Sequence, residues 1–308
     1  MIERPRRSVL FLPADNPRAV EKAKTLACDV VVLDLEDAVG PSGKDAARAA
    51  AIKAVRNGGF AGSEVWVRVN GPDTALFGYD LAALAGEPVQ GLVIPKIEGP
   101  KDLIRTRAEI KRGASRSPAL WAMIETPLAL MNLAKIGEAA RSQGVVGLLA
   151  GGNDLGKALG AGGEARFGLV PHLAQIVACS RAYGLVALDA VYNDLEDEAG
   201  LAVECAQGVA LGFDGKTLIH PNQIEAANKA FAPGPKAIAR AQAIVAAFAD
   251  PENAGKGVVR IDGVMAERLH LDAARLVLAR AGLDADQAAD GGDGSAVGED
   301  ETVEIGAT

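Results

Sequence analysis

Glu125 and Asp154 are the residues whose type and spacing best suit chemistry. Glu125 closes the run "LWAMIE" (120–125), whose other members read as protein interior. An ionised carboxylate is costly to bury unless it is paired or bound to a cation. The segment "AGGNDLG" (150–156) then brings Asp154 to the end of the next apolar run, beside Gly151 and Gly152, which permit close backbone approach. Two carboxylates at adjacent strand ends suit a hard divalent ion. Mg²⁺ takes one or two protein carboxylates and leaves its other positions to water and substrate; Mn²⁺ accepts the same oxygen donors. Asp154 alone is also explained as a helix N-cap, a position that favours Asp and Asn.

Other polar residues end apolar runs in the same way. Arg68 follows "VWV" and precedes Asn70–Gly71. Its guanidinium offers a rigid fork for a substrate carboxylate, or a structural ion pair with Glu36 or Asp37. Both roles are compatible, since these acids can orient the arginine or hydrogen-bond metal-bound water. Lys96, after "VIP", is a Schiff-base candidate. A metal pair beside it makes that chemistry redundant, so a charge or hydrogen-bonding role toward substrate is preferred. His220 in "KTLIHP" is either an acid/base group or a hydrogen-bonded, half-buried histidine. Asp15 or Asn16 starts a helix with Pro17 at its first position.

These residues need elements to bring them together. Eight apolar runs alternate with amphipathic, Ala-rich segments: 8–13, 29–36, 64–70, 91–98, 119–125, 145–152, 184–190 and 213–220. Near-continuous apolar runs are what strands covered on both faces look like. Helices are expected at 17–27, 42–56, 100–112, 127–141, 169–182, 194–210 and 221–230, with a weaker one at 73–85. Eight strands each followed by a helix is the count of a (β/α)₈ TIM barrel. The rival doubly wound sheet lacks its Gly-rich fingerprint after the first strand. In a barrel the carboxyl ends of the strands share one rim, where active sites are built.

The barrel is expected over 1–232 and a small C-terminal helical cap over 233–283. The cap pattern is a helix near 234–249, a strand or turn at Asp262–Gly263, and a last helix ending near Ala281. Residues 284–308 form an acidic tail expected to be disordered. The chain has 308 residues and a net charge of −8, and eight acids without a single Lys or Arg fall in that tail. The remaining body is therefore neutral, which argues against nucleic acid as a partner. No apolar run is long enough for a membrane span. The Val9–Leu12 stretch ends at Pro13, too short for a signal-peptide core, so a cytoplasmic protein is expected. Cys28, Cys179 and Cys205 have no paired spacing and read as buried free thiols.

The motifs "RSVLFLPADNPRAVEKA", "VVVLDLEDAV", "VRVNG", "GLVIPKIE", "WAMIETP", "LLAGGNDL" and "GFDGKTLIHPNQI" occur in this order. Together they resemble the citrate lyase β-subunit and malyl-CoA lyase-like family of CoA-ester lyases, over Arg7 to about residue 280. The resemblance implies a barrel with a cap swapped between subunits, in a homo-oligomer such as a trimer or hexamer. It implies Mg²⁺ on Glu125 and Asp154, Arg68 on the substrate carboxylate, and coenzyme A entering at the rim as part of the substrate. The implied reaction is cleavage of a 3-hydroxyacyl-CoA dicarboxylate of malyl-, citramalyl- or citryl-CoA type to a 2-oxo acid and acetyl-CoA. Relatives carry a cap aspartate as a catalytic acid. Here "DGVMAERLH" has Ala266 and then Glu267, so the resemblance transfers that role to Glu267. "ERLH" also resembles the malyl-CoA thioesterase branch, which makes thioester hydrolysis an alternative. A β-subunit working with an acyl carrier protein is another.

Overall fold

The computed structural model describes residues 4–113, 117–161, 165–261 and 263–283. The acidic tail and Asp262 lie outside the described residues. Contacts divide the chain into two compact units, one of residues 6–232 and one that includes the described residues between 233 and 283.

The first unit is a closed barrel of eight parallel strands, each hydrogen-bonded to its neighbours in sequence order, with the eighth returning to the first. The strands are β1 (Ser8–Pro13), β2 (Val30–Asp34), β3 (Glu64–Arg68) and β4 (Gly91–Ile94). They continue with β5 (Ala119–Ile124), β6 (Val145–Ala150), β7 (Val186–Asp189) and β8 (Gly215–Leu218). The intervening helices are α1 (Pro17–Ala23), α2 (Lys44–Asn57), α3 (Leu76–Leu84), α4 (Pro100–Gly113) and α5 (Pro127–Met131). Then come α6 (Leu133–Ala140), α7 (Gly152–Leu159), α8 (Ala165–Ala182), α9 (Glu198–Leu211) and α10 (Ile224–Phe231).

Side chains alternate between the two faces of each strand. One set fills the barrel interior: Val9, Val30, Val32, Trp66, Val93, Trp121, Met123, Leu149 and Leu188. The other set packs against the helices in a much larger core. Trp66 and Trp121 stack inside the barrel with ring centroids 4.1 Å apart. Two glycines make room for them. A Cβ at Gly91 would sit 2.7 Å from the Trp66 ring, and one at Gly147 would sit 2.2 Å from the Trp121 ring. The tryptophans thus plug the barrel, and the same alternation carries Arg68 and Glu125 to the rim above them.

Two helical expectations change. Instead of one helix over 127–141 there are two, α5 and α6, parted at Asn132, whose side chain leaves the helical pattern to donate to the Glu98 carbonyl (3.0 Å). Between β6 and α8 the barrel also inserts α7, an eight-residue amphipathic helix with Leu155 and Leu159 four positions apart, which was not among the expected helices. Elsewhere, Asn16 caps α1 by accepting from the Ala19 N–H, with Pro17 following. All three cysteines are free and buried.

The second unit has its own core of Ala241, Ile244, Val245, Val259, Ala266, Leu271, Ala274 and Leu278. Helix α11 (Pro235–Ala249) packs on α12 (Arg268–Arg280). Between them an antiparallel hairpin joins β9 (Val258–Ile261) to β10 (Val264–Glu267), and Gly263 takes φ +81° in its turn. No helix among the described residues is long and apolar enough to cross a membrane.

Candidate active site

The carboxyl ends of the strands enclose a cavity of about 430 Å³ whose lining includes Asp34, Asp37, Arg68, Glu125, Asp154, Gly151 and Gly152. Phe11 and Met123 supply apolar wall to the same cavity. Residues separated by more than a hundred positions in the chain thus face one space.

Glu125 is 3% exposed. Its Oε1 accepts the Lys96 backbone N–H at 2.7 Å, and among the described residues no cationic side chain forms an ion pair with it. Burial, and then the charge of Glu36, push its carboxyl up to about 7. Asp154 lies in the first turn of α7 behind Gly151, which occupies the N-cap, so the capping explanation does not apply to it. Gly151 is a steric requirement of the site. A Cβ there would fall 2.3 Å from the Glu125 Cβ and 2.6 Å from its Oε2. Gly152 likewise backs onto Ala190, with 2.8 Å between the would-be Cβ and the Ala190 Cβ.

Arg68 is 9% exposed and crowded by acids. Its Nε and Nη2 donate to Asp34 at 2.7 and 2.5 Å. Its Nη1 lies 3.1 Å from Glu36 Oε2 and donates to Asp37 at 3.3 Å. Burial works against the guanidinium charge, but Asp34 and the other acids outweigh it and hold the charge firmly. The expected pairing with Glu36 and Asp37 exists, yet the principal partner is Asp34. Alternation could have revealed it: Val30 and Val32 face the barrel interior, so Asp34 must too.

Lys96 takes φ +51°, a left-handed conformation that a side chain rarely adopts. That turn aims its N–H at Glu125, while its ammonium pairs with Glu36 at 2.9 Å. Burial lowers the Lys96 ammonium pKa, but the Glu36 hydrogen bond and charge more than restore it. Burial in turn raises Glu36. Neither Lys96 nor Glu36 lines the cavity, unlike Arg68, Glu125 and Asp154. His220 accepts the Asn222 N–H through Nδ1, at the start of a turn of 3₁₀-helix, which gives it a structural role. Glu267 belongs to the second unit, exposed at the start of α12, where its N–H donates to His270 Nδ1 at 2.9 Å.

The donor set fits a hard cation. Asp34, Glu36, Asp37, Glu125 and Asp154 outnumber the cations Arg68 and Lys96, and the buried Glu125 carboxylate forms no ion pair among the described residues. Among the described residues no cluster of three or more His, Cys, Asp or Glu could hold a metal. A closed structural site is therefore absent among them, whereas two carboxylates with open positions suit Mg²⁺.

The chain is also similar to known proteins. The HpcH/HpaI aldolase/citrate lyase family model matches residues 7–221. A (3S)-malyl-CoA thioesterase of Cereibacter sphaeroides is 41% identical over 278 residues, covering 90% of this chain and 95% of the relative. The mitochondrial citramalyl-CoA lyase of Homo sapiens is 33% identical over 275 residues, covering 85% and 81% respectively. Among solved structures, CitE of Mycobacterium tuberculosis in complex with magnesium, acetoacetate and coenzyme A superposes with a TM-score of 0.67. It is 32% identical, covering 90% of this chain and 98% of that one.

Proposed function

The chain belongs to the HpcH/HpaI aldolase/citrate lyase family, and from that premise we propose that it is a Mg²⁺-dependent enzyme acting on a 3-hydroxyacyl-CoA dicarboxylate thioester. The favoured reaction is carbon–carbon cleavage of a malyl-, citramalyl- or citryl-CoA type substrate to a 2-oxo acid and acetyl-CoA. One observation carries the reading: Glu125, Asp154 and Arg68 line a single cavity, and the buried Glu125 carboxylate forms no ion pair with a cationic side chain among the described residues. Magnesium and coenzyme A bound together in the related CitE complex support it.

Glu125 and Asp154 would hold the ion. When bound, Mg²⁺ supplies Lewis-acid stabilisation of the oxygens on which charge develops. Arg68 holds the substrate carboxylate and keeps its own charge throughout. Lys96 fixes the Glu125 carboxylate through its N–H and neutralises Glu36 through its ammonium. In cleavage the substrate hydroxyl gives its proton to water in the open cavity, its oxygen becomes the carbonyl of a 2-oxo acid, and the bonding pair of the broken C–C bond becomes the thioester enolate. The enolate carbon then takes a proton, for which the candidate donor is Glu267 supplied by a second copy of the chain.

Hydrolysis of the thioester is the second reading, favoured by the 41% identity to a malyl-CoA thioesterase. The products separate the two. Incubated with malyl-, citramalyl-, methylmalyl- and citryl-CoA in Mg²⁺, a lyase yields a 2-oxo acid and no free thiol in its first turnovers. A thioesterase yields free coenzyme A and no 2-oxo acid. Activity of the purified chain alone, without an acyl carrier protein, is the expected result in either case.

A further inference from the structure

Asp34 is buried to 1% exposure, faces the cavity and has no assigned role. Each of its carboxylate oxygens accepts from two donors. Oδ1 takes Arg68 Nε at 2.7 Å and the Glu36 N–H at 2.9 Å. Oδ2 takes Arg68 Nη2 at 2.5 Å and the Ala38 N–H at 3.0 Å. The first partner of each oxygen belongs to β3, which runs beside β2 with Asp34 and Arg68 in register. The second belongs to the loop that carries Glu36 and Asp37.

One carboxylate therefore fixes two things at once. It grips the Nε edge of the guanidinium, the edge that would otherwise fork onto a substrate carboxylate. It also pins the loop whose acids flank the remaining nitrogen, Nη1. Phe11 adds a third constraint, with its ring 5.2 Å from Arg68 Cζ. The plane, the edge and the outer end of Arg68, where Nη1 already meets Glu36 and Asp37, are all determined before substrate arrives, and preorganised charge is what makes such contacts effective.

We propose that Asp34 is a positioning residue that sets how the enzyme recognises the carboxylate of its substrate. By occupying the Nε edge it leaves Arg68 to meet that carboxylate end-on, through Nη1 and the outer N–H of Nη2. The inference rests on the reading of Arg68 given above. Asparagine cannot replace Asp34, because either orientation of the amide turns one oxygen's two accepted bonds into donor–donor contacts.

The test compares malyl-CoA with 3-hydroxybutyryl-CoA, which has a methyl group where malyl-CoA has its free carboxylate. Full-length wild type, Asp34→Asn, Arg68→Ala and the double variant are assayed in Mg²⁺ for KM with malyl-CoA, following whichever product forms, and for inhibition by 3-hydroxybutyryl-CoA. Loss of a bond to a charged group predicts a KM about 10- to 100-fold higher in Asp34→Asn. The inhibition constant of the uncharged analogue stays within about twofold, because a residue acting through Arg68 has no effect on a ligand lacking the carboxylate. The double variant is no worse than Arg68→Ala alone. An equal loss for both ligands would make Asp34 merely structural and overturn the proposal. So would an unchanged KM in Asp34→Asn while Arg68→Ala weakens malyl-CoA. If Arg68→Ala itself leaves KM unchanged, the assignment of Arg68 fails first and takes this one with it. Should Asp34→Asn not fold, Asp34→Glu keeps the charge but displaces the grip by one methylene, and the same outcomes apply.

Discussion

At the scale of single residues the site is governed by what burial does to charge. Glu125 has its carboxyl pushed up to about 7 by burial and by Glu36, against an ordinary value near 4.3. A folded-state pKa above the unfolded one means that the folded protein holds the proton more tightly. The resulting stability is fully present below the unfolded pKa and is lost as pH rises through about 7. For this residue alone the loss is on the order of 3 kcal/mol. Mg²⁺ competes with that proton, so metal binding should become more favourable over the same interval. The melting temperature gained on adding Mg²⁺ is therefore predicted to be larger at pH 8 than at pH 6. Glu125→Gln should show little gain at either pH. An equal gain at both, in wild type and variant alike, would place the metal elsewhere.

Elements decide where these residues stand, and much of that was legible in the sequence. Eight apolar runs, six of them leading to polar residues, pointed to the barrel and its rim, because strands buried on both faces leave no room for polar groups except at their ends. Arg68, Glu125 and Asp154 were found that way. Asp34 was missed because β2 is apolar on both faces, so that Val30–Leu33 does not mark which face turns inward, although alternation places Asp34 on the same face as Glu36. Helix α7 is only eight residues long, too short for the four-residue spacing of Leu155 and Leu159 to stand out among the glycines, and the left-handed turn at Lys96 leaves no mark on a sequence without a glycine there. Gly151 was legible only as permission for close approach; the structure makes it a necessity. Since its φ of −93° suits any residue, Gly151→Ala tests the contact with Glu125 and not backbone freedom. The added methyl should displace the Glu125 carboxylate and weaken Mg²⁺ at least about 10-fold, with an overpacking cost of roughly 1–3 kcal/mol. Titration calorimetry with Mg²⁺ checks it, and wild-type affinity would refute the contact.

For the whole molecule, two units with separate cores carry different parts of the proposed chemistry. The barrel holds the carboxylates and Arg68, whereas Glu267 stands exposed in the C-terminal unit. If Glu267 acts on the cavity of a second copy, Glu267→Ala should be about 10²–10⁴-fold slow yet still bind Mg²⁺. Mixed with Glu125→Gln under conditions that exchange subunits, it should recover part of the activity, since some pairings then unite an intact barrel with an intact Glu267. No recovery despite demonstrated exchange would remove Glu267 from the mechanism. All of this depends on one claim, that Glu125 and Asp154 hold the metal with which the enzyme attacks a CoA thioester. The most direct measurement is turnover of malyl-CoA by chelator-stripped protein as Mg²⁺ is restored. Wild type should be inactive when stripped and regain full rate with Mg²⁺, while Glu125→Gln stays inactive at every Mg²⁺ concentration. Full activity in stripped Glu125→Gln would contradict the account.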